Sequence, residues 1–279
     1  MQLQEFSNAA SYLDRTRDLL FGQEIANNLL LSSAIALSKG GIARVPSLSF
    51  FTVFRDDRPV ASLLRSSNKR LILSTADESS ATYLGEEISK RAHDLRGIFA
   101  PASIAEAFVE GLERGGGARP EKRLAQDLMI LEKPTPIEAA SGVFRAALRK
   151  DLSLLVTWAH AFADECGLDE TSTETEEVVR KYLENRQLFV WDVGGRAVAM
   201  AAYGGITPKA ARISMVYTDP SQRNRGFAGT LVHRLSHRLF DEGLSACVLF
   251  VDAANPVSKH VYEKLGFKTI ASFADYRFS

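Results

Sequence analysis

Hydrophobic residues in the carboxy-terminal half change their spacing several times, and each change predicts a new element. Four-residue spacing indicates helices with one buried face, whereas alternation or a continuous apolar run indicates strands. Glycines stand where two of the helices are expected to end. The predicted elements are helices at 152–164 and 174–185, strands at 187–192, 196–204 and 211–218, a helix ending near Asp241 before Gly243, a strand at 246–251, a helix at 256–265 before Gly266, and a last strand in the tail.

The amino-terminal half gives almost the same order of elements. A long helical pattern ends at Gly40-Gly41, and three strands with short polar connections follow it. The repeated order suggests a duplicated unit, although the two halves share little residue identity. The predicted elements are a helix at 11–38, strands at 48–54, 59–66 and 70–74, helices at 78–95 and 103–114, and a strand at 127–131.

A glycine-rich basic turn joins the predicted strand at 211–218 to the helix that follows it. A strand that turns sharply into a helix leaves backbone N–H groups unpaired, and the helix dipole adds positive charge at the same place. Such a turn is suited to bind an anion, most naturally a phosphate or a pyrophosphate. It consists of Arg223, Asn224, Arg225, Gly226, Phe227, Ala228 and Gly229.

The corresponding position in the amino-terminal half has a different chemistry. It reads Thr75-Ala76-Asp77 and contains neither glycine nor arginine. An acidic residue at the start of a helix repels a phosphate. We therefore expect the amino-terminal half to be a copy without the anion site.

A second motif lies near the end of the chain. Asn255 is suited to cap a helix at its start, and Gly266 is suited to stop it. Ser258 and Tyr262 lie one turn apart and share a polar stripe with Asn255. A helix this short has little reason to align an amide, a hydroxyl and a phenol unless something polar lies alongside. The buried stripe beside them is predicted to consist of Val257, Val261 and Leu265.

Purely structural roles are also compatible with several of these residues. Gly226 could be an ordinary turn glycine, and Asn255 could serve only as a helix cap. Tyr262 could be an aromatic residue at the edge of the core whose hydroxyl meets solvent. His233 and His237 are spaced like a metal-binding pair. Without an acidic or cysteine partner they are interpreted as solvated residues of a helix face.

The composition excludes several classes of protein. Of the 279 residues, 46% are hydrophobic and 24% are charged, which is typical of a soluble globular protein with one or two domains. The 34 basic residues balance 34 acidic ones, so neither nucleic acid nor a membrane is expected as a partner. Cys166 and Cys247 suggest reduced thiols and a cytoplasmic location. The start lacks a basic signal-peptide region, and the longest apolar stretch is too short to cross a bilayer.

Together the two motifs resemble those of the GNAT superfamily of N-acetyltransferases. The Arg-x-x-Gly-x-Ala pattern at 223–228 is similar to its acetyl-coenzyme-A signature, and the run at 261–267 is similar to its closing motif. The likeness covers 143–279 and points to a bacterial subgroup with a long amino-terminal extension. It implies an α+β fold of tandem GNAT-like domains, each a mixed, mostly antiparallel sheet flanked by helices. The domain at 1–133 is expected to be degenerate and to lack the pyrophosphate loop, and the domain at 143–279 to be catalytic.

The resemblance also implies the cofactor, acetyl-coenzyme A, and its place. The sheet is expected to splay open after the strand that ends at Thr218, and the pantetheine arm is expected to lie in that splay. Tyr262 would donate a proton to the leaving thiolate after direct attack by the amine of a small-molecule acceptor. No metal is expected, and the chain is expected to be a monomer or a homodimer. The implied cofactor-binding residues are Val216, Tyr217 and Thr218 for the pantetheine arm, Arg223, Asn224, Arg225, Gly226, Phe227, Ala228, Gly229 and Thr230 for the pyrophosphate, Asn255 for the pantetheine amide, and Ser258.

The general base stays open at this point. The strand that leads to the basic turn holds no carboxylate at 212–216. Asp164, Glu165, Asp219 and an ordered water chain are the candidates. The missing carboxylate slightly favours a second function, an acyl-coenzyme-A-binding module without turnover. A third, an acyltransferase for longer acyl groups, would use the same site.

Overall fold

The computed structural model describes residues 1–39, 48–91, 94–168 and 171–278, which form two compact units. Unit 1 contains Met1–Leu128 together with Thr269–Ser279, and unit 2 contains Met129–Lys268. The division differs from the predicted boundaries, because the tail groups with unit 1 and the break falls before residue 133. The predicted helix stop at Gly40-Gly41 lies outside the described residues.

Unit 1 contains helices and a mixed sheet. The strands follow the order β1-β2-β3-β4-β5-β12, in which β4 and β5 are parallel and the other neighbours are antiparallel. The elements are β1 (Gln2–Phe6), α1 (Ala9–Arg15), α2 (Arg17–Gly22), α3 (Asn28–Lys39), β2 (Ser49–Arg55), β3 (Arg58–Arg65), β4 (Arg70–Leu73), α4 (Glu78–Ser89), β5 (Gly97–Pro101), α5 (Ala102–Arg114), β6 (Glu121–Leu131), whose last residues belong to unit 2, and β12 (Lys268–Arg277).

The predicted single helix at 11–38 is wrong, because the structure has three helices there. Thr16 ends α1, and its hydroxyl donates to the carbonyl of Tyr12 at 2.7 Å. The buried side chain of Asn27 donates to the carbonyl of Leu19 at 3.2 Å and accepts from the amide of Thr75 at 2.8 Å. Such side-chain bonds to the backbone compete with continuous helix, and helical spacing alone does not reveal them.

Unit 2 places helices on both sides of a mostly antiparallel sheet. Its strands follow the order β11-β10-β9-β8-β7, in which β10 and β11 are the parallel pair. Separate apolar clusters form on the α8–α9 side and on the α6–α7 side. The elements are β7 (Val143–Ala146), α6 (Leu152–Glu165), α7 (Ser172–Glu184), β8 (Leu188–Val193), β9 (Arg196–Gly204), β10 (Ala210–Thr218), α8 (Phe227–Asp241), β11 (Ala246–Asp252) and α9 (Pro256–Leu265).

A β-bulge divides β10 into two parts. The pairing with β9 shifts between Ser214 and Tyr217, and Met215 has φ of 51°. Before the bulge, Ile213 faces the α8 side of the sheet; after it, Met215 and Tyr217 face the α6 side. The extra residue therefore changes which side chains each face receives, and it bends the strand.

Within the described part of the chain, no helix is long and apolar enough to span a bilayer.

Strand β12 is held in unit 1 by a buried ion pair. Asp275 is 7% exposed, and it bonds Arg70 of β4 and lies 3.6 Å from Arg277. The neighbouring Tyr276 donates its hydroxyl to Glu106 of α5 at 2.6 Å. A buried carboxylate with two cationic neighbours holds its place more firmly than an exposed one, because removing it leaves an uncompensated charge.

We predict that Asp275→Asn lowers the free energy of unfolding by about 3 kcal/mol, since it leaves the Arg70 guanidinium without its buried partner. Urea denaturation followed by circular dichroism measures this. Asp94→Asn is the matched control, because Asp94 also bonds two cations, Arg65 and Lys69, but is 52% exposed. The control should leave the urea midpoint nearly unchanged. Equal effects of the two variants would contradict the assignment.

Candidate functional site

Strands β10 and β11 of unit 2 diverge, as the resemblance implies. Among the described residues, parallel pairing runs from Ala210 opposite Ala246 to Arg212 opposite Val248. Beyond Arg212, β10 keeps its partner β9, with Tyr217 opposite Met200, but β11 no longer follows it. The bulge at Met215 lies at this divergence. The result is a slot between β10 and β11, with strand backbone along its edge.

The residues predicted to line this slot lie on the second half of β10. Val216 packs against the α8-side cluster, and Tyr217 is buried against Trp158 with ring centroids 6.1 Å apart. Thr218 pairs with Ala199 on β9. Their side chains therefore stabilise the two faces of the sheet, while the backbone edge toward β11 is available to an extended ligand.

The basic turn forms an open helix N-terminus. Gly226 is the N-cap of α8 with φ of 75°, and no side chain caps the helix. Asn224 is also in the left-handed region, with φ of 62°. The first helical residues have no carbonyl one turn earlier to receive their N–H groups. Gly226 has open space at its Cα, because an added Cβ would meet only the methyl of Ala140, 4.0 Å away.

Other residues of this turn shape the helix start. Phe227 is buried and anchors the first turn. The amide of Thr230 donates to the carbonyl of Gly226 at 3.0 Å, and its hydroxyl accepts from the amide of Ala140 at 3.0 Å. Gly229 packs against α9, where an added Cβ would lie 3.6 Å from Val261. The donors left for a ligand are therefore the amides from Gly226 to Gly229, Ala228 included.

Two arginines flank this helix start. Arg223 donates to the carboxylate of Glu165 at 2.7 Å and to the carbonyl of Thr218 at 3.2 Å, and it lies over the ring of Tyr217. The hydrogen bond to Glu165 raises the pKa of Arg223 above its ordinary value. Arg225 donates to the side chain of Gln222 at 2.5 Å. The turn thus combines two fixed cations with a helix dipole.

Helix α9 presents the second predicted motif. The side chain of Asn255 accepts from the amide of Ser258 at 3.0 Å, so the predicted cap is confirmed. Gly266 has φ of 100° and ends the helix as expected. Val257, however, is 71% exposed, so its assignment to the buried stripe is wrong. The first turn of α9 extends beyond the core, and only the later part of the helix packs against it.

Tyr262 lies half-buried between α9 and the core. Its ring meets Phe267 edge-on, with centroids 5.8 Å apart. Burial, followed by the nearby Cys166, raises the pKa of Tyr262 above its usual range. Burial, together with the charges of Glu165 and Asp252, raises the pKa of Cys166 to about 11. The phenol and the thiol are therefore both protonated near neutral pH.

This neighbourhood contains residues that the sequence analysis did not place. Cys166 ends α6 and Asp252 ends β11, so their proximity arises only when the sheet forms. Asp252 also accepts from the amide of Ala254 at 2.9 Å, which begins the turn into α9. No local pattern in the sequence could have revealed either residue.

The three carboxylates considered as a general base have different surroundings. Glu165 is paired with Arg223. Asp219 accepts from the amide of Ser221 at 2.9 Å and caps a short 3₁₀ turn. Asp164 is exposed at the end of α6.

The helix start in unit 1 is closed by its own side chain. Asp77 accepts from the amide of Ser80 at 2.9 Å and from the hydroxyl of Ser79 at 2.6 Å, and Arg55 lies 3.4 Å away. Burial opposes ionisation, but hydrogen bonds from Ser79 and Ser80 and the charge of Arg55 lower the pKa of Asp77 to about 2. The N-terminus of α4 is therefore capped by an anionic side chain, whereas the corresponding N-terminus of α8 is open.

Comparison with known proteins identifies the class of unit 2. Residues 154–267 match the family described as Acetyltransferase (GNAT) family. The carboxy-terminal half of this chain therefore contains a GNAT-family acetyltransferase domain, and the predicted family is confirmed.

The chain is similar to mycothiol acetyltransferases. The relative from Thermomonospora curvata is 28% identical over 180 residues, which are 63% of this chain and 59% of that protein. The relative from Rhodococcus erythropolis is 35% identical over 63 residues, which are 23% of this chain and 21% of that protein. The chain thus spans less than two thirds of the relatives it matches.

The solved structures confirm the predicted fold class. A tandem GNAT protein from the clavulanic acid biosynthesis pathway covers 99% of this chain and 98% of its own, with a TM-score of 0.59 and 13% identity. At that identity the likeness concerns the fold alone. It extends over 99% of this chain, so the likeness in fold includes the amino-terminal half.

We predict that Gly226→Glu weakens binding of coenzyme A by more than about 100-fold, because a carboxylate enters the space beside the free amides and repels phosphate. Isothermal titration calorimetry measures the affinity. Gly243→Glu is the matched control, since Gly243 has φ of 95° at the other end of the same helix and a Cβ added there would meet nothing within 4 Å.

Both variants force a side chain into the left-handed region, which costs about 1–2 kcal/mol. Similar losses of stability with different affinities are therefore expected. If Gly226→Glu bound coenzyme A as tightly as the control, the open N-terminus would not be the phosphate site.

Proposed function

We propose that this chain transfers an acetyl group from acetyl-coenzyme A to the amine of a small-molecule acceptor, and that unit 2 does so by direct attack of the amine. Unit 1 is proposed to be a degenerate copy that binds no cofactor. The proposal depends above all on one contrast: the N-terminus of α8 is open and flanked by arginines, whereas that of α4 is closed by Asp77.

The geometry supports a defined position for the coenzyme. The pyrophosphate is proposed to accept from the amides between Gly226 and Gly229, with charge from Arg223 and Arg225. The pantetheine arm would then extend along the free edge of β10 and pass the start of α9, which is capped by Asn255. In this path the thioester reaches the neighbourhood of Tyr262.

The reaction needs a neutral amine, a polarised carbonyl and an acid. The amine nitrogen attacks the thioester carbon, a backbone N–H of β10 stabilises the resulting oxyanion, and the carbon–sulfur bond then breaks. The thiolate takes the proton of the Tyr262 phenol, and the amine loses its own proton to a base or to water. Since the pKa of Cys166 is about 11, this thiol is not ionised at neutral pH, which supports direct transfer rather than an acyl-cysteine intermediate.

The relatives' names guide the choice of acceptor. They are called mycothiol acetyltransferases. We therefore propose that low-molecular-weight amines that carry a cysteine-like group are among the acceptors of this chain. The acceptor panel should contain them alongside polyamines, amino acids and aminoglycosides.

Release of free thiol from acetyl-coenzyme A, measured with each acceptor, tests the proposal. Acceptor-dependent release supports the acetyltransferase. Tight binding of acetyl-coenzyme A without release by any acceptor would contradict it and favour a binding module. Faster release from octanoyl- or benzoyl-coenzyme A than from acetyl-coenzyme A would instead favour an acyltransferase for longer groups.

We predict that Tyr262→Phe lowers kcat by about 100-fold or more while the affinity for coenzyme A stays within about twofold, because a general acid acts in the transition state. Burial raises the pKa of Tyr262 above its usual value of about 10. Ionisation of the phenol should therefore cause no fall of kcat at pH values below about 10. Tyr83→Phe in unit 1 is the control and should change neither quantity. Full turnover by Tyr262→Phe would remove the phenol from the mechanism.

A further inference from the structure

Two histidines on α8 lie apart from the proposed acetyl-transfer site. His233 and His237 are one turn apart on the helix, and their Nε2 atoms are 3.3 Å apart. Their ring centroids are 4.5 Å apart with the planes at 63°, so the rings meet edge-on and the two Nε2 atoms lie within hydrogen-bond distance of each other. His233 is half-buried and His237 is exposed, which leaves the point between them open to solvent.

The separation of the two nitrogens has a simple geometric meaning. A zinc ion binds imidazole nitrogen at about 2.0–2.1 Å in tetrahedral geometry. Two ligands at that distance and at the tetrahedral angle lie about 3.3–3.4 Å from each other. The observed spacing of the two Nε2 atoms therefore matches the spacing that two ligands of one tetrahedral ion require.

The other nitrogen of His233 has the partner that metal-binding histidines usually have. The backbone of Thr135 makes a hydrogen bond with His233 that favours the protonated ring, so the imidazole is the donor. Because Nε2 faces His237, the donating atom is Nδ1. This bond fixes the neutral tautomer with its lone pair on Nε2, as a backbone carbonyl does beside many metal ligands.

Arg234 lies close enough to His233 to interact with it electrostatically, and its positive charge weakens the attraction of a dication.

We propose that His233 and His237 form a surface site for Zn²⁺ or a related transition-metal ion, with water in the remaining positions. Among the described residues, no group of three or more histidine, cysteine or carboxylate side chains is placed so that it could hold a metal ion. Two protein ligands define an exchangeable site rather than a permanent structural one. Imidazole suits Zn²⁺, Ni²⁺ and Cu²⁺, whereas Mg²⁺ prefers oxygen.

Thr135 connects this site to the end of α9. Its amide donates to the carbonyl of Leu265 at 2.9 Å, and its hydroxyl would lie 2.8 Å from a Cβ added at Gly266. An ion that fixes His233 also fixes the ring that holds Thr135. Bound metal should therefore stabilise the packing of the 133–135 segment on α8 and α9, and it should raise the melting temperature.

Calorimetric titration of the untagged chain with Zn²⁺ tests the proposal. One ion per chain is expected, with no binding heat from Mg²⁺. His233→Ala and His237→Ala should each weaken Zn²⁺ binding by at least about tenfold, the effect of losing even an outer partner of a metal ligand. His160→Ala is the control, because it removes a single histidine from α6, and it should bind Zn²⁺ like the unaltered chain.

The melting temperature with and without Zn²⁺ gives an independent readout. The ion should raise it in the unaltered chain and in His160→Ala, but not in His237→Ala, which alters only an exposed ring and leaves the fold intact. Absence of Zn²⁺ binding by the unaltered chain, or binding that survives both His233→Ala and His237→Ala, would overturn the proposal. Both results are independent of acetyl-transfer activity.

Discussion

Backbone amides at the start of a helix must find acceptors, and the structure meets this requirement differently in its two units. In unit 1 the carboxylate of Asp77 accepts hydrogen bonds from the amide and the hydroxyl of Ser80 in the first turn of α4. In unit 2 Gly226 begins α8 without a side-chain cap, and two arginines lie beside it. We therefore propose that an external anion binds at the start of α8 and not at the start of α4.

The open helix start has a functional meaning because of the strand that leads to it. β10 bends at the Met215 bulge and leaves β11 after Arg212, so a slot opens between these two strands. The proposed path of the coenzyme joins the amides at the start of α8, the edge of β10 and the half-buried phenol of Tyr262. A ligand with an anionic head, an extended arm and a reactive end fits this order of groups.

The features that the sequence predicts correctly depend on local signals. The asparagine cap of α9, its glycine stop and the glycine that starts α8 each act within one helical turn, so the residues themselves carry the information. Four-residue apolar spacing predicts the length of α8, and the helix ends at Asp241 as expected.

The features that the sequence does not predict depend on distant contacts. A methionine with positive φ at position 215 gives no local sign of a bulge, because the neighbouring strands impose it. Cys166 and Asp252 meet near Tyr262 only after α6 and β11 are in place. Similarly, the apolar pattern of the tail predicts a strand, but it does not say that this strand groups with unit 1 and pairs with β5.

Hydrogen–deuterium exchange with and without coenzyme A tests the central claim most directly, because it follows the helix amides themselves. Bound coenzyme A should slow exchange at 225–230 and along the edge of β10 that faces β11, with no change at 77–82 at the start of α4. Protection at 77–82, or unchanged exchange at 225–230 when the coenzyme is saturating, would contradict it.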